Sequence, residues 1–162
     1  MVADLGVAPV VAGEAARADE LRSPGDLDGW YLTLGPVAAA THVEGRWISA
    51  VGGEISIAHL AETRIPAVLG ICGGGVSYGS LPGGRLWLEA EVGLERPLPF
   101  ALGLAVGATA QVDRTDPPRL GIQATLWAVG GVVPYVRVGT VEVNGAYVEA
   151  GVMLKVPVRF AY

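Results

Sequence analysis

The last sixteen residues of the chain alternate without a break between apolar side chains and small or polar ones. Successive side chains of a β-strand point to opposite faces, so the pattern predicts one strand over 147–162 with a wholly apolar face. Strands of soluble domains usually run to about five or six residues, whereas a tilted strand that crosses a bilayer needs roughly nine to eleven. The length therefore favours a membrane-spanning strand. The apolar series is Val148, Ala150, Val152, Leu154, Val156, Val158, Phe160 and Tyr162.

Seven earlier segments show the same alternation, and each ends at a turn-forming sequence. The eight predicted strands cover 30–40, 46–59, 67–78, 85–95, 100–112, 119–129, 133–142 and 147–162. Their connections are short, and Asn144-Gly145 supplies the positive φ that a tight hairpin turn needs. Strands joined by successive hairpins form an antiparallel meander, which loses its two edges when it closes. We therefore predict an all-β fold, an eight-stranded up-and-down antiparallel barrel.

The composition of the second face indicates which side of the barrel is outside. In the segment 100–112, the residues opposite the Leu and Val series are mostly Ala and Gly. A water-facing strand normally carries charged or polar side chains that limit association. Tiny residues instead suit a crowded interior. We therefore expect the apolar faces to point into lipid, which makes the barrel a transmembrane one.

The polar faces carry four acidic and four basic side chains. Charges in a narrow, partly dry lumen need partners, because an unpaired buried charge is strongly destabilising. A solvent-exposed face needs no such balance, so the equal numbers favour a lumen. We predict that these eight residues form structural ion pairs that plug the barrel: Glu54, Arg85, Glu89, Glu91, Arg137, Glu149, Lys155 and Arg159.

Outward aromatic residues concentrate near predicted strand ends. If odd-numbered strands ascend from one interface, then Trp30, Phe100, Phe160 and Tyr162 all fall at that interface, and Trp47 falls at the opposite one. Aromatic side chains are enriched at both surfaces of a bilayer. We therefore predict that these five residues belong to an aromatic girdle.

The segment 1–28 differs from the remainder of the chain in charge. It carries six acidic and two basic residues, a balance of −4, out of −5 for the whole chain. We interpret 1–28 as an acidic leader, either disordered or the remnant of a signal peptide, and 29–162 as the barrel. No basic patch is present to neutralise phosphates, which argues against nucleic-acid binding. The single Cys72 excludes an intrachain disulfide and a multi-cysteine metal site.

With these features the chain resembles the small eight-stranded outer-membrane barrels of the type formed by the transmembrane domain of outer-membrane protein A. The resemblance covers 29–162, and its most specific element is the alternating strand that ends on Phe160 and Tyr162. It implies a bacterial outer-membrane location, contact with membrane lipids, and recognition of the C-terminal strand by the outer-membrane assembly machinery. The balanced inward charges also resemble the lumen salt-bridge networks of that family.

Three features depart from the family pattern. One is that the segment 1–28 does not match a complete signal peptide, which an exported protein needs. The connections that would face the cell exterior are all short, whereas relatives usually carry long loops there. Pro36, Pro134 and Pro157 lie inside predicted strands, where each removes a hydrogen-bond donor, so we expect bulges or shortened strands at these positions.

Outer-membrane barrels of this size include lipid A deacylases and palmitoyltransferases, so catalytic groups must be considered. Ser56 and His59 are three apart on a predicted strand, which places them on opposite faces. Glu89 and Glu91 share a face about 7 Å apart, a spacing compatible with glycoside hydrolysis, but the basic residues of the polar faces favour structural ion pairs. We predict no catalytic, cofactor-binding or metal-binding residue.

Three functions remain open at this level. The leading hypothesis is a non-enzymatic integral outer-membrane barrel with a structural or scaffolding role, which associates with other envelope proteins. The alternative is a soluble eight-stranded barrel that binds a small apolar ligand. The third is a lipid A-modifying outer-membrane enzyme.

Overall fold

The computed structural model describes residues 28–61, 65–94, 101–113, 116–129, 132–142 and 145–161. Of the predicted leader, 1–28, only Asp28 belongs to this part of the chain. Within it, no helix is long and apolar enough to span a membrane. In chain order the strands are β1 (Gly29–Val43), β2 (Arg46–Leu60), β3 (Val68–Tyr78), β4 (Gly84–Leu94), β5 (Ala101–Val112), β6 (Arg119–Val129), β7 (Val133–Val141), β8 (Gly145–Met153) and β9 (Val156–Ala161).

The strands form one closed sheet. Each strand from β1 to β7 pairs antiparallel with the next strand in the chain. β1 also pairs antiparallel with β8 and β9, which closes the sheet into a barrel. β8 and β9 continue one register along β1, with Met153 opposite Val37 and Val156 opposite Leu34, so together they make the eighth strand of the barrel. The prediction of an eight-stranded up-and-down antiparallel barrel is therefore confirmed.

The eighth strand contains an interruption that the alternation did not predict. It breaks at Leu154 and Lys155, between β8 and β9. Leu154 donates its N–H to the carbonyl of Pro36 on β1 at 3.1 Å, but the reciprocal bond needs an N–H that proline lacks. The prediction of one continuous strand over 147–162 was wrong, because a proline on one strand removes a ladder bond from the strand opposite.

The other two strand prolines lie at an edge and at a ladder end. Pro157 lies on β9, which pairs only with β1 among the described strands. Pro134 lies on β7 just before Tyr135, whose pair with Trp127 is the first of the β6–β7 ladder. Prolines in sheets are found at such positions, because no ladder donor is required there.

The register fixes how steeply the strands tilt. One circuit of the barrel along paired residues starts at Tyr31 on β1 and returns to β1 at Thr41, ten positions further along the same strand. Ten residues span about 33 Å along a strand, and eight strands span about 38 Å across the sheet. The ratio of the length along the strand to the length across the sheet is the tangent of the strand tilt. The tilt is therefore about 40°, within the range usual for barrels. The intermediate partners are Ala58, Gly70, Glu91, Ala105, Thr125, Arg137 and Glu149.

The two ends of the barrel are defined by the chain. The terminal end carries the start of β1 and the end of β9, and the hairpin end carries the turn between β1 and β2. This turn consists of Glu44 and Gly45, both with positive φ, as in the two-residue turns that match the twist of β-hairpins. The other connections at the hairpin end are 79–83, 113–118 and 142–144, so all are short.

The two faces of the sheet carry different kinds of side chain. Outward side chains are apolar and exposed, for example Leu88 at 63% and Ile122 at 69%. Inward side chains include charged groups that are completely enclosed, such as Arg137 and Glu149 at 0%. The sequence-based assignment of inner and outer faces agrees with this arrangement.

Candidate functional site

Seven of the eight predicted lumen charges lie on the inner wall of the barrel. Six of them are buried on strands, and the side chain of Lys155, in the interruption between β8 and β9, is 17% exposed. Their inward orientation follows from strand parity, and the tilt of the strands brings positions that are distant in sequence to similar heights. The seven are Glu54 on β2, Arg85, Glu89 and Glu91 on β4, Arg137 on β7, Glu149 on β8, and Lys155.

Arg137 lies at the centre of this network. Its Nη1 donates to Glu149 Oε1 at 3.1 Å, and its Nη2 lies 3.3 Å from Glu89 Oε2 and 3.7 Å from Glu54 Oε2. Its Nε donates to Thr125 Oγ1 at 2.8 Å, and Thr125 donates to Glu89 Oε1 at 2.7 Å. A planar guanidinium offers donors in a fixed fork, which suits it to join several carboxylates in a confined space.

Glu149 has partners on both carboxylate oxygens. Oε1 accepts from the Tyr135 hydroxyl at 3.0 Å as well as from Arg137. Oε2 accepts from the Thr41 hydroxyl at 2.7 Å and from Arg85 Nη2. Such charge-assisted hydrogen bonds are stronger than neutral ones and compensate for the loss of hydration of the buried carboxylate.

Lys155 joins two further carboxylates to the network. Its Nζ lies 2.9 Å from Glu54 Oε1 and 3.5 Å from Glu91 Oε2. Because Glu54 also approaches Arg137, the contacts continue without a gap from Glu91 through to Glu149 and Arg85. The connected network contains three cations and four carboxylates.

Arg159, the eighth predicted residue, lies apart from the network at the terminal end. Its Nη2 donates to the backbone carbonyl of Asp28, and its guanidinium lies 5.9 Å from the centre of the Tyr31 ring. Among the described residues, the eight predicted charges therefore do not form one set of mutual contacts.

Aromatic rings pack against the lumen cations. The guanidinium of Arg137 lies 4.2 Å from the Trp87 ring centre and 5.0 Å from that of Tyr135, and the guanidinium of Arg85 lies 4.2 Å from the Tyr147 ring centre. These distances are within the range of cation–π attraction. These rings and charged groups therefore share the interior of the barrel.

A glycine lies directly opposite each of four large lumen rings. A Cβ at Gly103 would overlap the indole of Trp127, and a Cβ at Gly74 would lie 2.6 Å from Cζ2 of Trp87. The run Gly73-Gly74-Gly75 therefore provides space for an indole. Alternation could not reveal these pairs, because they depend on register. The four pairs are Trp87–Gly74, Trp127–Gly103, Tyr135–Gly151 and Tyr147–Gly139.

The groups considered for catalysis are engaged in other contacts. Ser56 is buried inside, with its Oγ 2.6 Å from Thr33 Oγ1, whereas His59 packs on Trp30 on the outer face. The free thiol of Cys72 is buried, with Sγ 3.9 Å from Glu89 Oε2. No group of three His, Cys, Asp or Glu side chains in the described ranges is placed to hold a metal ion.

The predicted girdle residues that can be located lie near the barrel ends. Trp30 is at the terminal end, on the neighbouring strand to Phe160, and Trp47 is at the hairpin end. All three are exposed on the outer face. Phe100 and Tyr162 lie outside the described residues.

Sequence reasoning missed two threonines that complete the network. Thr41 and Thr125 are buried and donate to Glu149 and Glu89. Thr41 was missed because β1 extends to Val43, beyond the predicted segment 30–40. The signal available was parity: both threonines belong to the inward series of their strands.

No family model and no curated protein sequence matches the chain. Solved structures do resemble it, including the following two. Neisserial surface protein A matches with 11% identity and a TM-score of 0.53, over 82% of this chain and 97% of that one. The de novo designed protein TMB2.3 matches with 15% identity and a TM-score of 0.52, over 80% of this chain and 98% of that one.

These identities are low, and the likeness therefore concerns the fold. It agrees with the closed register of the strands and with the resemblance predicted from the sequence. The chain has the fold of the small eight-stranded outer-membrane β-barrels.

Proposed function

We propose that this protein is an integral outer-membrane barrel with a structural or scaffolding role and a lumen closed by its own side chains. The observation that carries the proposal is the difference in polarity between the outer and inner faces of the sheet. Large apolar residues cover the outside, and the charged network lies inside. Lipid is the surroundings in which this arrangement is favourable, because apolar side chains remain out of water and every strand finds its hydrogen bonds within the closed sheet.

The alternative of a soluble ligand-binding barrel requires the reverse arrangement. Such a barrel would present polar side chains to water and line its interior with apolar ones. Here Leu88, Leu120 and Ile122 are each more than 60% exposed, while Arg137 and Glu149 line the interior. A monomeric soluble protein rarely exposes an apolar surface of this kind.

A closed lumen is supported by the size of the groups inside it. Eight strands leave an interior that side chains can just fill. Arg137 on β7 contacts Trp87 on β4 and Tyr135 on its own strand, and Glu149 joins strands on different sides of the interior. We expect the purified protein in planar bilayers to show no conductance above the lipid background. Steady conductance steps would contradict a closed lumen.

The absence of catalysis is part of the proposal. The two lumen carboxylates with a glycosidase-like spacing are both committed to cations, Glu89 to Arg137 and Glu91 to Lys155. Ser56 and His59 lie on opposite faces of β2. Overexpression should leave the acyl chains of lipid A and the phospholipids of the host membrane unchanged by mass spectrometry. A new lipid A species that disappears with a Ser56→Ala variant would favour the enzyme hypothesis.

The bacterial outer membrane is the proposed location, and lipids are the proposed primary partners. The outward series Val156, Val158 and Phe160 on β9 supports a role of this strand in recognition by the outer-membrane assembly machinery. Other envelope proteins are proposed as further partners, through the apolar outer face or the acidic leader.

Membrane insertion is tested by extraction and by electrophoretic mobility. The protein should require detergent for solubility, and an unboiled sample should migrate differently from a boiled one, because a closed barrel resists unfolding by detergent. A monomer that remains soluble without detergent would overturn the proposal.

A further inference from the structure

We propose that the lumen binds one small monovalent anion, of the size of chloride, between Arg85 and Gln123. The observation that carries the proposal is a set of buried N–H donors that meet no acceptor. Arg85 Nε, Arg85 Nη1 and Gln123 Nε2 have no hydrogen-bond partner among the described residues. Both residues are nevertheless enclosed, Arg85 at 1% and Gln123 at 3% exposure. The inference goes beyond the scaffolding role and does not depend on it.

The two side chains meet at one aromatic ring. The guanidinium of Arg85 lies 4.2 Å from the centre of the Tyr147 ring. The hydroxyl of the same tyrosine donates to Gln123 Oε1 at 2.6 Å, which fixes the amide and leaves its nitrogen without an acceptor. Arg85, Gln123 and Tyr147 all lie in the halves of their strands that are nearer the hairpin end. Unpartnered donors from β4 and β6 therefore converge on one part of the lumen.

The polarity of the missing partner is the same throughout the lumen. The indole N–H groups of Trp87 and Trp127 also find no acceptor in the described ranges, whereas no buried side-chain acceptor there lacks a partner. The nearby Thr109 hydroxyl is already committed as a donor to the carbonyl of Leu86 at 3.1 Å. A buried donor without an acceptor loses its hydration uncompensated. An anion only accepts hydrogen bonds, whereas a water molecule brings two further donors that need acceptors of their own.

The charges around Arg85 also favour an anion. Among the described residues its one carboxylate contact is Glu149, which it shares with Arg137. The other three carboxylates of the network contact Arg137 and Lys155 and not Arg85. The network as a whole has one carboxylate more than it has cations, but around Glu149 two cations share one carboxylate. Attraction between Arg85 and an added anion is strong in this enclosed, weakly polarisable interior.

The close packing around the ring limits the size of the ligand. A Cβ at Gly139 would lie 2.6 Å from the Tyr147 hydroxyl oxygen, so the ring lies directly on the backbone of β7. The guanidinium of Arg85 covers part of the ring face. Protein interiors packed in this way leave little free volume. A single-atom anion therefore suits the site better than phosphate or sulfate.

The experiment uses the full chain refolded in detergent micelles, with chloride exchanged for gluconate at constant ionic strength. Stability is read as the ratio of folded to unfolded protein at a fixed urea concentration. Binding is read separately by nitrogen-15 NMR, from the resonances of the Arg85 Nε–H and the Gln123 side-chain amide. The same two measurements are repeated with bromide.

We expect the folded-to-unfolded ratio to rise about elevenfold when the halide concentration reaches ten times the dissociation constant, because the anion binds only the folded state. The Arg85 and Gln123 resonances should shift with the same half-saturation. The variant Gln123→Glu places a carboxylate oxygen at the position of the amide nitrogen and keeps an acceptor for Tyr147, so it should lose the halide dependence. The matched control Arg46→Met removes an exposed cation at the hairpin end and should keep it.

Three results would overturn the inference. The first is a stability that does not change with halide at constant ionic strength, and the second is a halide effect that Gln123→Glu retains in full. The third is an effect that Arg46→Met abolishes, which would place the anion on the surface. If Gln123→Glu does not fold, the wild-type resonances decide, because unshifted Arg85 and Gln123 signals refute the site. None of these results bears on membrane insertion, which is tested by extraction.

Discussion

Replacement of Arg137 by methionine tests whether the lumen network behaves as buried charge. Arg137 is completely enclosed and contacts Glu54, Glu89 and Glu149. Methionine is flexible and apolar, and it can occupy much of the space that the guanidinium fills beside the Trp87 and Tyr135 rings. The main consequence is therefore electrostatic: three carboxylates lose a cation that they share.

The expected cost follows from burial. Removal of one partner from a buried ion pair destabilises a protein by about 3 to 5 kcal/mol, because the remaining charge is left without compensation. Glu149 retains Arg85, and Glu54 retains Lys155. Glu89 keeps only hydrogen bonds, from Thr125 and weakly from Cys72, so most of the cost should fall on Glu89.

A second substitution separates this cost from lost packing. Glu89 is expected to be the main carboxylate left without a cation. If so, the double variant Arg137→Met, Glu89→Gln should be more stable, by about 1 to 3 kcal/mol, than the summed effects of the two single variants predict. The matched control is Arg46→Met at the hairpin end. The exposed pair between Arg46 and Glu44 should contribute less than about 1 kcal/mol.

The assay is reversible urea unfolding in lipid vesicles, followed by tryptophan fluorescence and by the fraction of folded protein on unboiled gels. The reasoning is refuted if Arg137→Met costs no more than Arg46→Met. That result would mean that the lumen is hydrated enough to screen its charges. Additivity of the Arg137 and Glu89 substitutions would show instead that the cost arises from packing.

Three further predictions concern the wall of the barrel. Leu88→Arg places a charge near the middle of the outer apolar face and should reduce the free energy of insertion by about 2 to 4 kcal/mol, measured by vesicle refolding titrations. Gly103→Ala should cost about 1 to 3 kcal/mol in the same unfolding assay, since its Cβ would meet an indole, whereas Gly53→Ala, whose nearest neighbour is 3.5 Å away, should cost little. Pro36→Ala restores a donor opposite Leu154 and should stabilise the barrel by about 1 kcal/mol, with slower amide exchange at the interruption; unchanged exchange there would contradict the account of the break.

The strands and their faces were predictable because side-chain alternation is local. Each inward charge, such as Glu54 or Arg137, could be assigned to the lumen side from its parity within one strand. The number of strands followed from turn signals between the alternating segments. Outward exposure of the apolar series required only two observations. The residues opposite it are largely small, and the charged residues among them are equal in number of acids and bases, as a narrow lumen requires.

The pairing inside the lumen was not predictable. Arg85 and Glu149 are 64 residues apart, and their contact depends on a circuit of the barrel that returns ten positions further along β1. Equal numbers of acids and bases suggested one balanced set, yet Arg159 lies at the terminal end with Asp28 and Tyr31. The number of charged residues in the sequence does not determine where each one lies along the barrel axis.

The sequence by itself determined a membrane-type barrel with a charged interior, because alternation, turn residues and the size of side chains are properties of single strands. Tertiary structure alone decided which residues meet. The register of the closed sheet places Trp127 opposite Gly103 and places Arg137 among three carboxylates. It also places Pro36 opposite Leu154, so that the hydrogen bond missing at the proline interrupts the eighth strand. The physical reason is that register is a collective property of all the strands, fixed only when the barrel closes.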